Sequence, residues 1–585
     1  MSLFKVSDQS TPPIDQTEVR IPSLNGLSYS PGQQIQIFVD PSRVEHIIGK
    51  DSYLEFECKI SLNDETSGSL VKLQLDSQTG GNCLLRNVRL FSGNKKNLLE
   101  EIVAYNSYVA IKYDYETSPG LTGKRYTEGV TSANVANRGT NGGTKSQQCD
   151  TVTNPYFKKS AASASDFANT DFLTCKITLP IHLGLFQMES VLPIALMEGI
   201  FLECDLESEK NIFRMLDSVS YGRRPLLNPK ISSIYNSSDG AIQTTWSDGD
   251  PATALYLHFD NSQYDIAHCP VAVGETIALF DVDTGTRLNA SLNAVVSQIT
   301  TEEVSNSTTI KLVFAEVTNS TGADVDFSAS NIALYDYSVE GTDTFAASYE
   351  ISKVNLVLKK ISPSNEFVQD LMTSMKAGGV INIDYHTVTN YQRSVLASDR
   401  VVNLRIDVNN SRCKSIICQP TDATRYATNL QISASDTYPL IEDWTNADDA
   451  FMNSDRTGFV GCQDNATDYS WVINQKLVPS RPIPVSNMSR KSNPSVSAQH
   501  LVEVEKALYA AGITPLSYKS HIENFIICRA LGLEENAVQD LAGKGIVLQL
   551  NYNETDAPEL NKLFNNYLFH IRSLRIRDGA VEVIH

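Results

Sequence analysis

Tyr349-Glu350-Ile351-Ser352-Lys353-Val354-Asn355-Leu356 and Phe569-His570-Ile571-Arg572-Ser573-Leu574-Arg575-Ile576 follow one pattern without a gap. In each, an aromatic residue opens the stretch and branched apolar residues occupy the third, sixth and eighth places. Each reads as a strand, and the two match residue for residue. Working back from each copy, the same elements recur in the same order. Gly199-Ile-Phe-Leu202-Glu-Cys204 has its counterpart in Gly545-Ile-Val-Leu548-Gln-Leu550, and Phe172-Leu-Thr-Cys175-Lys-Ile177 in Phe525-Ile-Ile-Cys528-Arg-Ala530. Before these a helix is expected in each half, over roughly Ile102 to Tyr113 and from Ser497 to Ala511. The second helix puts Leu501, Val504, Leu508 and Ala511 on one face, with Ser497 as N-cap and Gly512 as stop. Further back, Leu85-Arg-Asn-Val88-Arg-Leu90 pairs with Arg412-Cys413-Lys-Ser-Ile416-Ile417. Leu54, Phe56, Cys58 and Ile60 pair with Val402, Leu404, Ile406 and Val408. Gly32-Gln-Gln-Ile35-Gln36-Ile37 pairs with Gly378-Gly-Val-Ile381-Asn382-Ile383.

Six strands and a helix in one order, twice, imply two similar β-sandwich or barrel domains. A chain of 585 residues is also too long for a single core. Jelly rolls are the common antiparallel solution at this size. The expected fold is therefore all-β: two tandem eight-stranded jelly-roll barrels (a double jelly roll), with a few short helices. Residues 1–30, polar and carrying Pro12, Pro13 and Pro22, read as an N-terminal arm. The first jelly roll is expected over 31–361, a linker helix over 362–379, and the second jelly roll over 380–585. Ser364 can cap the linker helix, Val368, Leu371, Met372 and Met375 form its apolar stripe, and Gly378 and Gly379 end it. The helix either packs that stripe on a barrel or serves as a plain connector.

The first half is longer because of an insertion at about 215–345. Its strand-like runs are Ala254 to Phe259, Thr276 to Val282, Thr309 to Val317 and Asn331 to Tyr337. Growth at a barrel end leaves the core untouched. Thr131 to Ser165 reads as a mobile surface loop and Ser480 to Ser497, with Pro482, Pro484 and Pro494, as another flexible segment.

A net charge of −20 disfavours binding to nucleic acid, whose phosphates need Lys and Arg. The basic groups Arg572–Arg575–Arg577 and Arg490–Lys491 read as solvated strand or loop charge. Ten cysteines without a CxxC pair read as small buried hydrophobes, with neither a disulfide framework nor a zinc site. No signal-peptide core and no eighteen-residue apolar run is present, and the sequons at Asn236 and Asn306 read as chance. HExxH, phosphate-loop and G-x-S-x-G motifs are absent from the sequence. His268–Cys269 lacks a visible orienting partner for nucleophilic chemistry. Asp248–Asp250 and Asp448–Asp449 could hold a hard cation but read as turn carboxylates. Leu541-Ala-Gly543-Lys-Gly545 is similar to the cleavage consensus of adenovirus-type maturation proteases, yet reads as a tight turn entering a strand. No catalytic, cofactor-binding or metal-binding residue is assigned, no cofactor is expected, and the chain is not expected to be an enzyme.

Four stretches together resemble the major capsid proteins of virophages and polinton-like viruses. They are Ile21-Pro-Ser-Leu-Asn-Gly with Gly32-Gln-Gln-Ile-Gln-Ile and Ser52-Tyr-Leu-Glu-Phe; Leu90-Phe-Ser-Gly93 with Leu99-Glu-Glu-Ile102 and Tyr105-Asn106; Leu179-Pro-Ile-His-Leu-Gly-Leu-Phe186; and Tyr349-Glu-Ile-Ser-Lys-Val with Met375-Lys-Ala-Gly-Gly379. The resemblance implies a double jelly roll and a homotrimer of pseudo-hexameric outline. Such trimers tile an icosahedral shell around a double-stranded DNA genome, in a virion assembled inside the infected cell. Implied partners are neighbouring capsomers, a pentameric vertex (penton) protein and minor capsid proteins on the inner face. No small-molecule substrate and no sequence-specific nucleic-acid binding are implied. Some relatives have a further C-terminal domain that a protease removes, and this chain is expected to lack that domain or to be already without it. Two other readings compete. A carbohydrate-binding or adhesin-like β-sandwich would expose Trp246, Trp444 or Trp471 as a sugar platform. A β-sandwich hydrolase would need a carboxylate pair, and none stands out.

Overall fold

A computed structural model describes residues 15–41, 46–64, 71–75, 79–116 except 94, 127–128, 157–159, 172–188 and 191–215. It continues with short strands between 222 and 336, then 345–422, 459–487 except 460, 464 and 465, 495–515, 524–532, 538–552, 561–577 and 580–584. The first eight long strands are β1 (Asp15–Pro22), β2 (Gln34–Val39), β3 (His46–Asp64), β4 (Leu85–Ser92), β5 (Asn97–Val103), β6 (Phe172–Pro180), β7 (Ile200–Leu206) and β8 (Phe345–Ser362). The next eight are β9 (Ile381–Val395), β10 (Val401–Val408), β11 (Cys413–Asp422), β12 (Ala466–Ile473), β13 (Lys476–Pro484), β14 (Ile527–Ala530), β15 (Lys544–Tyr552) and β16 (Lys562–Arg577). A last strand, β17 (Ala580–Ile584), returns along β16.

The pairing is antiparallel throughout. In the first half β1-β8-β3-β6 form one sheet and β2-β7-β4-β5 the other. In the second half the sheets run β9-β16-β11-β14 and β10-β15-β12-β13. Adding eight to each strand of the first half gives the second. Within each half every connection crosses from one sheet to the other, except the β4–β5 and β12–β13 hairpins. Each half is a jelly roll.

Sequence alternation explains the sheets. Val402, Leu404, Ile406 and Val408 of β10 are buried and their neighbours exposed, and Ile35, Ile37 and Val39 of β2 are buried between half-buried neighbours. The second core gathers these β10 residues with Ile416, Tyr469, Trp471, Leu548 and Leu568. Trp471 is fully buried there.

Three helices matter: α1 (Tyr105–Glu116), α2 (Asn365–Lys376) and α3 (Ala498–Ala511). α1 and α3 occupy equivalent places, after the β4–β5 and β12–β13 hairpins. α2 connects β8 to β9, and Ser364 accepts a hydrogen bond from Phe367 N–H as its cap. Only Met375 of its stripe is buried, while Phe367 and Met372 are exposed. Gly512 ends α3 in the left-handed region, as expected, but Ser497 sits at the N-cap without a side-chain bond. Among the described residues no helix is long and apolar enough to cross a membrane.

The insertion is β, with the four anticipated runs forming strands and three more beside them. They make two small sheets, one of Gly222–Pro225, Ile332–Asp336 and Ile277–Asp281, the other of Ile234–Tyr235, Ala254–Leu257, Ser307–Phe314 and Val296–Val304. Three expectations need correction. Residues 15–22, read as part of an arm, are strand β1, paired along their whole length with β8. Its outer side is polar because it is an edge, so alternation is masked. Residues 480–484, read as flexible, lie in β13; as an edge strand it tolerates Pro479, Pro482 and Pro484. Finally, the first three repeat pairs are displaced by one strand. The Gly32 stretch is β2 whereas the Gly378 stretch leads into β9, and the next two pairs set β3 beside β10 and β4 beside β11. Strands of equal period look alike, and the unrecognised β1 shifted the count. The later pairs, β6 with β14, β7 with β15 and β8 with β16, are equivalent strands. Residues 1–14 and most of 131–165 lie outside the described residues.

Truncating Trp471 to Ala should cost ~3–5 kcal/mol of unfolding free energy. A denaturant midpoint equal to wild type would contradict this placement of the second core.

The joint between the barrels as the candidate functional site

The feature that sets this chain apart from two beads on a string is the contact between the barrels. β5, an edge strand of the first barrel, faces β9, an edge strand of the second. An edge strand has unpaired carbonyls on its open side. Here side chains of the second barrel satisfy them. Tyr385 Oη donates to Leu99 O at 2.8 Å and Asn390 Nδ2 to Val103 O at 3.0 Å. Tyr567 Oη donates to Ala104 O at 2.9 Å.

At the centre lies Glu100, fully buried. Its carboxylate accepts from Gly184 N–H at 2.7 Å, Leu185 N–H at 3.3 Å and Thr387 Oγ1 at 2.7 Å. Gly184 and Leu185 open the single helical turn Gly184–Gln187, whose first amides have no partner within the turn. One side chain thus ties β5, the β6–β7 connection and β9. Burial pushes the Glu100 carboxyl above the usual glutamate range, against the pull of these hydrogen bonds and of the Arg572 charge. Gly184 is required by contact. A Cβ there would stand 1.7 Å from His386 O of β9. Burial also lowers the His386 imidazole, with Lys414 adding to the effect.

A second latch lies at α1. The helix YNSYVAIKYDYE is buried nearly all round, as a helix between two packed bodies must be. Tyr108 packs on Tyr567 and Phe569 at ring distances of 5.9 and 6.1 Å. Asn524, fully buried, donates to Asp114 at 2.6 Å and accepts from Tyr115 Oη on its backbone oxygen at 2.9 Å. Its side-chain oxygen accepts from Gln419 and Gly461 N–H of the second barrel. Apolar burial completes the contact, for Tyr385, Val388, Tyr567, Phe569, Leu574 and Ile576 belong to the second barrel yet cluster with the core of the first.

The residues singled out in the sequence fall elsewhere. Arg572 lies at the joint, its guanidinium 3.4 Å from Thr389 Oγ1, whereas Arg575 and Arg577 are exposed. Leu541–Gly545 forms a turn, with Leu541 buried, Gly543 at φ +68° and Lys544 N–H bonded to Leu541 O. The eight described cysteines are buried and form no disulfide among themselves. Trp471, at the heart of a core, is no sugar platform. His268–Cys269, Asp248–Asp250, Asp448–Asp449, Arg490–Lys491, Trp246, Trp444, Asn236 and Asn306 lie outside the described residues. Among the described residues no three His, Cys, Asp or Glu side chains converge as a metal site would require. Sequence reasoning missed Glu100, Gly184 and Asn524. Glu100 and Gly184 do lie within two of the stretches that carry the family resemblance, Leu99–Ile102 and Leu179–Phe186.

No family model matches the chain, and no curated protein matches its sequence. Among solved structures it is similar to the Sputnik virophage structure determined by cryo-electron microscopy, with 10% identity over 100% of this chain and 92% of that one and a TM-score of 0.46. The Faustovirus major capsid protein is 10% identical over 98% of this chain and 93% of that one, with a TM-score of 0.42. The mavirus major capsid protein is 9% identical over 100% and 92%, with a TM-score of 0.37. The fold assignment rests on strand order and not on these scores.

Two changes test the joint. Gly184→Ala forces a methyl group into the His386 carbonyl and should destabilise by about 1–3 kcal/mol or more, with faster hydrogen exchange across β9. Unchanged exchange there would refute the close approach. Glu100→Gln tests the buried charge. A carboxyl raised in the folded state contributes stability fully present below its unfolded pKa and lost as pH rises through its folded value. The neutral Gln lacks this loss. The unfolding free energy of wild type relative to the variant should therefore fall as pH rises above the ordinary glutamate range. Parallel pH curves would show that the carboxyl is not raised.

Proposed function

We propose that the chain is a major capsid protein. Its copies associate as homotrimers of pseudo-hexameric outline, which tile an icosahedral shell around a double-stranded DNA genome. The observation that carries this reading is one eight-strand plan built twice and locked side by side by a buried joint. Two similar wedges at a fixed angle make a tile, and three such tiles supply six similar wedges around an axis. At the heart of the joint, around Glu100 and Thr387 and around Asn524 and Asp114, the polar groups are buried and hydrogen-bonded and leave no room for a substrate. This supports a structural role in place of catalysis. A net charge of −20 suits a surface that must not adhere to the packaged nucleic acid. Its place is then the virion, and its partners are neighbouring capsomers, a pentameric vertex protein and minor proteins of the inner face.

Sedimentation of the purified chain should give a species of three 64.4 kDa subunits. Negative-stain electron microscopy should show hexagonal outlines that order into arrays. A chain that stays monomeric at all concentrations and binds glycans would overturn the reading.

A further inference from the structure

The second barrel repeats the parts that the first uses in the joint, but turns them to solvent. α1 is covered because Tyr567 and Phe569 of β16 pack on it and Asn524 bonds to it. α3 holds the equivalent position, and Val502 and Tyr509, seven residues apart on one face, are 44% and 49% exposed. Beside α3 runs β13, the equivalent of β5, with Lys476, Leu477 and Arg481 exposed along it.

A matching surface lies on the first barrel. β1 pairs with β8 as β9 pairs with β16. In the second barrel Tyr385, which crosses the joint, stands opposite Arg572. In the gapless match of the closing strands Arg572 corresponds to Ser352, and Ser352 stands opposite Ser28. Immediately before Ser28 the chain leaves the sheet after Pro22, and this excursion carries Leu24 and Leu27, 61% and 93% exposed. Leu27 is the most exposed large hydrophobic residue among those described. The barest apolar side chains of the first barrel therefore stand at the level where the second inserts Tyr385 into the joint. The exposed charges of the two strands lean opposite ways, with Asp15 and Glu18 outnumbering Arg20 on β1, and with Lys476 and Arg481 on β13, while Glu505 is exposed on α3. A single exposed Leu needs no partner, but two bare surfaces at the positions equivalent to a buried joint do call for one.

We infer that the β1 side of the first barrel, centred on Leu24 and Leu27, docks on the β13–α3 side of the second barrel of another copy, covering Val502 and Tyr509. The inference rests on the capsomer reading and names its contact. Each copy offers one surface of each kind, so the contact is head-to-tail, and it closes into a ring of three where neighbouring copies are related by a third of a turn. It lacks the carboxylate latch: the fourth residue of β5 is Glu100, whereas the fourth of β13 is Pro479. The contact between copies is thus the one that yields on dilution, while the internal joint holds.

Leu27→Asp and Tyr509→Asp each place a charge on an accessible position. Each should weaken the three-chain species at least roughly tenfold in analytical ultracentrifugation, with the thermal melting of the monomer unchanged. An equimolar mixture of L27D and Y509D retains one intact pairing and should stop at a two-chain species. Should either variant melt early, Glu18→Lys and Arg481→Glu give the same test, each weakening assembly alone and restoring it when combined in one chain. Folded variants that assemble like wild type, or a mixture that remains monomeric, would overturn this contact and leave the capsid reading intact. A wild-type chain that never assembles would overturn both.

Discussion

A carboxylate removed from water must be answered by hydrogen bonds, or it neutralises or unfolds its surroundings. Glu100 is answered from three directions: two amides of the Gly184 turn and the Thr387 hydroxyl. The two barrels are independent in topology but not in energetics, because parting them would break the Thr387 bond to Glu100 and the Tyr385, Asn390 and Tyr567 bonds to the first barrel, and would expose the apolar cluster they share. Gly184 makes the approach sterically possible, and these contacts make retreat costly. The remaining joint contacts, from Asn97 at one end to Asn524 at the other, extend the same fixed pose over the height of the barrels.

The joint also reshapes the second barrel. The sheet containing β11 and β14 buries Ile416, Cys418 and Ile527 in its own core. On its other face Ile417, Ile526 and Cys528 join the core of the first barrel, together with Val504 and Leu508 of α3. A sheet covered on both faces loses alternation and reads as a continuous apolar run. In the first barrel β3 keeps its alternation through Leu54, Phe56, Cys58 and Ile60, with Tyr53, Glu55 and Glu57 less buried between them. Two copies of one plan thus acquire different surfaces through their neighbours.

This difference governed how much the sequence could disclose. The gapless match of β8 with β16, and the Gly-Ile openings of β7 and β15, made the repeat and the all-β class readable. β1 escaped because an edge strand with a polar outer side carries little period-two signal. β11 was matched to the wrong strand because Cys413 to Cys418 is buried on both faces. The joint could not be read at all by periodicity. A buried Glu in a strand looks like a surface Glu until the second barrel is placed over it, and Gly184 looks like an ordinary loop glycine until His386 O arrives. The family resemblance did mark both stretches, but as motifs without a mechanism.

The large insertion follows from the same constraint. It leaves the barrel after β7 and returns at β8, at the end where Glu207 accepts from Asn106 and Tyr349 donates to the Glu207 backbone. Those bonds staple the root of the insertion to α1 and β8. Loop length costs little once the ends are fixed close together, so the chain between β7 and β8 can lengthen while these bonds hold its root. The joint instead fixes Glu100, Gly184 and Thr387 in contact across the barrels, so growth is tolerated at one place and excluded at the other.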